Sequence, residues 1–171
     1  MHYISIIGIV AMCSFAGVYA GGFGKKRILF FLEFKRVLTL LKGEIRYGMT
    51  PIGEACMHVA EKTEQEFKNF LLAIGTDTRE KKEASFETIW EAAAERHLPK
   101  AYFKPGEWKQ ILTLGASIGY LDVPMQLRAF DLLLDQVEHG LDGARKRQEK
   151  DGKLYQTLGI GIGLMLAIVL I

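Results

Sequence analysis

Apolar residues in this chain gather at its two ends and form helical stripes between them. Tyr3 to Phe23 is a run of 21 residues with no Asp, Glu, Lys or Arg, and Leu154 to Ile171 is a second of 18. As helices they would measure about 31 Å and about 27 Å at 1.5 Å per residue, against a hydrocarbon core of about 30 Å. Two transmembrane helices are therefore expected, over 3–23 and 154–171. Between them, Phe30, Phe34, Val37, Leu38, Leu41 and Ile45 fall on one face at helical spacing, which predicts a helix over 30–47. Gly48 offers a left-handed stop. Thr50 offers a cap and Pro51 a first helical position. Further helices are expected from Pro51 to about Lys62 and from about Glu64 to Ile74, with a turn at Gly75-Thr76-Asp77-Thr78. The next covers Lys82 to His97, buries Phe86, Ile89, Trp90 and Ala93, and ends at Leu98-Pro99. Pro105-Gly106-Glu107 opens another, with Trp108, Ile111, Leu112, Gly115, Ile118 and Gly119 on one face. Asp122 then caps a long helix with Pro124 in its first turn. Its seam of Val123, Leu127, Phe130, Leu134, Val137 and Leu141 alternates steps of four and three. This helix is expected to run on into the second apolar segment, with Gly140, Gly143 and Gly152 as points where it would bend. No segment alternates with period two. The expected fold is all-α, a bundle of about six helices flanked by an N-terminal and a C-terminal transmembrane helix.

Charge sharpens that picture through its distribution. The 22 Lys+Arg and 20 Asp+Glu nearly cancel, to +2, but every one of them lies between Lys25 and Lys153. Lipid sorts charge in this way, because an ion at the bilayer centre costs roughly 3 kcal/mol on the mildest scale. The length of 171 residues suits one domain, over 25–153, between the anchors. Lys25, Lys26 and Arg27 follow the first run, and Arg145, Lys146, Arg147, Lys150 and Lys153 precede the second. Positive charge at both boundaries places the middle in the cytoplasm and both termini outside. Val18-Tyr19-Ala20 resembles a signal-peptide cleavage site, but Met1-His2-Tyr3 lacks the basic residues of a signal n-region. The membrane boundaries account for the basic clusters, so no nucleic-acid partner is expected. Cys13 falls in the first span and Cys56 in the middle, so no disulfide is expected. Thiol labelling of Cys56 is expected to fail in intact cells and to succeed once the membrane is opened, which would report the orientation.

Little in the sequence resembles catalysis. Gly115-Ala116-Ser117-Ile118-Gly119 matches G-x-S-x-G, the turn that presents a hydrolase nucleophile between a strand and a helix. Here the flanks continue a helix, so the alternative is a set of small residues for helix packing. Gly21-Gly22-Phe23-Gly24-Lys25-Lys26 lacks the spacing of a phosphate-binding loop. His2, His58, His97 and His139 are scattered without metal-ligand spacing, and no cofactor is implied. Glu61, Glu64 and Glu66 read as a solvated helix face, and Trp90 and Trp108 as core rather than binding anchors. Gly17 with Gly21, and Gly159 with Gly163, make G-x-x-x-G in the two apolar runs. That spacing lets helix backbones approach closely in lipid, either between the two spans of one chain or in an oligomer.

Glu44-Ile45-Arg46-Tyr47-Gly48-Met49-Thr50-Pro51 resembles the E-I-x-Y-x-x-T-P segment of the stage III sporulation protein AB family of endospore-forming bacteria. Leu114-Gly115 and Gly119 followed by Asp122 and Gln126, and the basic helix giving way to Leu158-Gly159 and an apolar tail, match the family in the same order. The resemblance implies a cytoplasmic domain similar to type II secretion F-type platform proteins. It implies a non-enzymatic role in the channel complex between mother cell and forespore, in the mother-cell membrane around the forespore. The implied partners are the ATPase stage III sporulation protein AA and other proteins of the complex, with the lipid bilayer and a further copy of the chain. The residues it singles out are Glu44, Tyr47, Thr50, Pro51, Gly115, Gly119 and Asp122. The segment from Glu44 to Pro51 has two readings, a binding motif or simply a helix end, a turn and a cap. The alternatives for the whole chain are a membrane-anchored hydrolase using Ser117, or a membrane adaptor unrelated to secretion.

Overall fold

The computed structural model describes the backbone of residues 2–80, 84–119 and 122–170, and the side chains of 24–80, 84–113, 115–119 and 122–150. The described residues are all-α. In chain order the helices are α1 (His2–Gly48), α2 (Ile52–Ala60), α3 (Gln65–Glu80), α4 (Phe86–His97), α5 (Pro105–Ala116) and α6 (Val123–Leu170). Short 3-10 turns lie at Lys100–Tyr102 and Ser117–Gly119. Phe30–Gly140 forms one compact unit, and Met1–Leu29 with Leu141–Ile171 forms another. Among the described residues no helix is long and apolar enough to cross a membrane. Both apolar runs, with Gly17, Gly21, Gly159 and Gly163, lie outside the residues whose side chains are described.

In the Phe30–Gly140 unit, the apolar stripe of α1 is the spine. Phe30, Phe31, Phe34, Val37, Leu38, Leu41 and Ile45 are all buried. Removing that much apolar surface from water stabilises the fold by about 1.5–3 kcal/mol per large side chain. Phe34 stacks on Phe67 of α3 at 5.3 Å, and Phe31 meets Phe103, after the first 3-10 turn, edge-on at 5.4 Å. Phe70 of α3 meets Trp90 of α4 at 5.0 Å. Trp90 and Trp108 are both core residues, 1% and 6% exposed. Arg36 of α1 donates to the carbonyl of Lys62 at 3.3 Å, supporting the chain just past α2.

Several expected boundaries move, each for a local reason. Gly48 is not the left-handed residue: Met49 is, at φ 49°, and no described glycine has a positive φ. What Gly48 supplies is room, since a Cβ there would lie 2.7 Å from the Thr50 hydroxyl. Thr50 is not a cap; Pro51 holds the N-cap position of α2, without a side-chain bond, and its carbonyl accepts from Ala55 N–H at 2.9 Å. The Gly75–Thr78 turn is absent, because α3 runs through it to Glu80. A Cβ on Gly75 would stand 2.9 Å from the Gly53 carbonyl, so this glycine lets α2 and α3 approach. The Thr78 hydroxyl bonds back to the Ile74 carbonyl at 2.7 Å, which keeps it compatible with a helix. Helix α4 starts at Phe86 rather than Lys82, because Ser85 accepts from the Thr88 N–H and caps it. In α6 the seam holds at Phe130, Val137 and Leu141, with Leu127 and Leu134 half-buried. Val123 is 42% exposed, and the buried positions are Ala129, Phe130, Leu133, Val137, Leu141 and Ala144. Leu133 joins the buried face beside half-buried Leu134, and Gly140 continues it: a Cβ there would meet the Phe31 ring at 2.7 Å. Asp122 caps α6 as expected, its carboxylate accepting from Met125 N–H at 3.2 Å.

Candidate interaction surface

The residues singled out by sequence divide into two groups in space. Gly115 and Gly119 belong to packing. A Cβ on Gly115 would fall inside the contact shell of the Trp90 indole, and one on Gly119 would strike the Cβ and ring of Phe86. The two glycines, one turn apart at the end of α5 and in the 3-10 turn after it, therefore form the seat for two aromatic residues of α4. Between them, Ser117 Oγ donates to the Thr113 carbonyl at 3.0 Å. That is a helix back-bond. Among the described residues there is also no group of His, Cys, Asp or Glu that could hold a metal ion.

The other group lies where α1 ends and α6 begins. Lys35 pairs with Glu138 at 3.0 Å and Lys42 pairs with Asp131. Each step of seven residues up α1 is thus matched by seven down α6, so the helices run antiparallel in fixed register. The same register brings the end of α1 level with the start of α6. Tyr47 and Met49 are 81% and 82% exposed, and Val123 and Met125 are 42% and 48% exposed. These four apolar side chains are thus exposed at the same end of this unit. Arg46 lies over the Tyr47 ring, its guanidinium carbon 5.4 Å from the centroid. Glu44 is not part of the open surface. Its carboxylate accepts from Lys62 at 3.4 Å and stands 3.6 Å from His58 Nδ1, tying α1 to α2 and the turn after it. Pro51 is exposed and Thr50 half-buried. The sequence motif fixes Tyr47, holds Met49 only at a variable position and does not reach Val123 and Met125, which the register of α1 against α6 brings to the same end.

Comparison with known proteins places the chain. The profile of the stage III sporulation protein AB family matches residues 2–171. The chain belongs to that family. A relative, stage III sporulation protein AB of Bacillus subtilis (strain 168), is 27% identical over 138 residues, which is 81% of this chain and 80% of the relative. A solved structure of stage III sporulation protein AB shares the fold with a TM-score of 0.63 at 23% identity, covering 73% of this chain and 98% of that one. Membership of this family supports a role in sporulation.

Proposed function

We propose that this protein is a non-enzymatic membrane platform of the mother cell–forespore channel complex, and that it docks the ATPase stage III sporulation protein AA at the tip formed by Tyr47, Met49, Val123 and Met125. The two uncharged runs, 3–23 and 154–171, anchor it in the mother-cell membrane around the forespore. The helical unit lies in the cytoplasm and both termini lie outside. The observation that carries the docking is the tip itself. Large apolar side chains that a soluble surface would bury stand exposed at one end of the unit, as they do at sites that meet a partner. The resemblance to type II secretion F-type platforms supplies the nature of that partner. The glycine pairs Gly17/Gly21 and Gly159/Gly163 provide close-packing faces for a further copy or for other proteins of the complex.

Co-purification tests the docking. Tyr47→Asp with Met49→Asp in the full chain should abolish capture of the ATPase while leaving helical content and melting unchanged. Undiminished capture would remove the tip as the docking surface. The hydrolase reading makes the opposite prediction at another residue: Ser117→Ala should leave sporulation intact, and loss of sporulation with a folded protein would favour the enzyme.

A further inference from the structure

In the unit formed by the chain's two ends, α1 and α6 carry a band of positive charge. A Cβ on Gly24 would lie 3.8 Å from Cγ of Gln148, which sets these two positions level. Lys25 and Lys26 on α1 then stand beside Arg145, Lys146, Arg147 and Lys150 on α6, and all six are exposed. Gln148 faces α1, so Lys146 and Lys150, two residues to either side, are turned roughly 200° from it and point away from the pair. Leu141 and Ala144 are buried beneath the band. Arg145 is 3.9 Å from Asp142. Lys25, Lys26, Lys146 and Lys150 have no ion-pair partner among the described residues. Asp142 and Glu149 stand four and three residues from Lys146 without pairing with it, and Lys25, Lys26 and Lys150 have no carboxylate three or four residues away. A merely solvated helix face ordinarily neutralises such lysines with carboxylates three or four residues away.

We propose that this band binds the headgroups of anionic phospholipids. The inference rests on the membrane reading above and adds a lipid class to it. The geometry favours a lipid layer over a nucleic acid. A ring of charge around a helix pair matches phosphates spread in a plane across it, whereas duplex phosphates follow a continuous groove-lined backbone. The band also borders, in sequence, both uncharged runs.

The full chain in nanodiscs of phosphatidylglycerol and phosphatidylcholine in equal parts tests this. Native mass spectrometry counts the lipids of each class that stay bound. Phosphatidylglycerol should be retained preferentially, and added salt should weaken the preference, since exposed charges are screened beyond about 8 Å at physiological ionic strength. In Lys25→Gln/Lys26→Gln/Lys146→Gln/Lys150→Gln the preference should fall, on the order of fivefold for each charge removed at low salt. The matching Lys→Arg variant should keep it. An equal preference in the Gln variant, a preference indifferent to salt, or binding of a DNA duplex in its place overturns the proposal. Release of the chain from membranes by alkaline carbonate overturns the membrane reading and this proposal together. A chain that stays embedded but shows no lipid preference overturns this proposal alone.

Discussion

Gly115 carries the indole of Trp90 where any other residue would carry a side chain. Gly115→Ala must push apart a packed aromatic and its neighbours, at a cost of about 1–3 kcal/mol. A fall in Tm of several degrees on thermal melting should report it. Ser117→Ala, two residues on, loses only a back-bond to its own helix and should stay within about 0.5 kcal/mol of the parent. Glu95 makes a second residue-level prediction. It accepts from Lys100 Nζ at 3.0 Å and from the Trp108 indole N–H at 3.3 Å. The Lys100 hydrogen bond, opposed by slight desolvation and aided by Trp108 and the Lys100 charge, holds its carboxyl below the ordinary value of 4.5. A carboxylate depressed in the folded state stabilises above its unfolded pKa, and that contribution is lost as pH falls through the folded value. Tm should therefore drop more steeply below about pH 4.5 in the parent than in Glu95→Gln. The G-x-S-x-G pattern was legible in the sequence, and so was the idea that its glycines serve packing. That Trp90 and Phe86 fill the space was not, since α4 and α5 meet only in the fold.

Among helices, the glycines of α2 and α3 separate two kinds of close approach. At Gly75 an added Cβ meets the Gly53 carbonyl at 2.9 Å, backbone that cannot yield. At Gly53 the nearest atom is the Thr78 methyl at 3.0 Å, a side chain that can shift. Alanine gains up to about 1 kcal/mol over glycine inside a helix. Gly53→Ala should thus be close to neutral, whereas Gly75→Ala should destabilise by about 1–3 kcal/mol, and chemical denaturation of the two variants should separate them. The same contact explains why Gly75-Thr76-Asp77-Thr78 reads as a turn in sequence and folds as helix. Turn residues announce themselves by composition, but a glycine needed for helix contact has the same composition. The helix stripes of α1 and α4 were legible because burial at a period of 3.6 leaves a trace in one segment alone. The seam of α6 was legible in part: Phe130, Val137 and Leu141 are buried as its spacing predicts, while exposed Val123 and buried Leu133 depend on which helices pack against it.

For the whole molecule, the proposed membrane orientation is the quantity to measure, and Cys56 cannot report it. Its thiol is fully buried in α2, and burial pushes its pKa up to about 12. Since the thiolate is the reacting species, Cys56 should resist maleimide in the folded protein whether or not the membrane is opened, and should react on unfolding. Exposed Lys109, changed to cysteine in a chain whose Cys13 and Cys56 are replaced by alanine, should label only after the membrane is opened. Labelling in intact cells would reverse the proposed topology.

The apolar stripes, the caps at Asp122 and the sorting of all charge between Lys25 and Lys153 are local or one-dimensional properties, so the all-α class and the expectation of two anchors follow from the order of residues. Contacts between distant segments have no such trace. Antiparallel pairing of Lys35 with Glu138 and Lys42 with Asp131 brings Tyr47 and Met49 to the same end of the unit as Val123 and Met125, all exposed. Residues some eighty positions apart come level only once helices pack. That packing also turned Gly115 and Gly119 from a possible nucleophile turn into the seat of two aromatic rings.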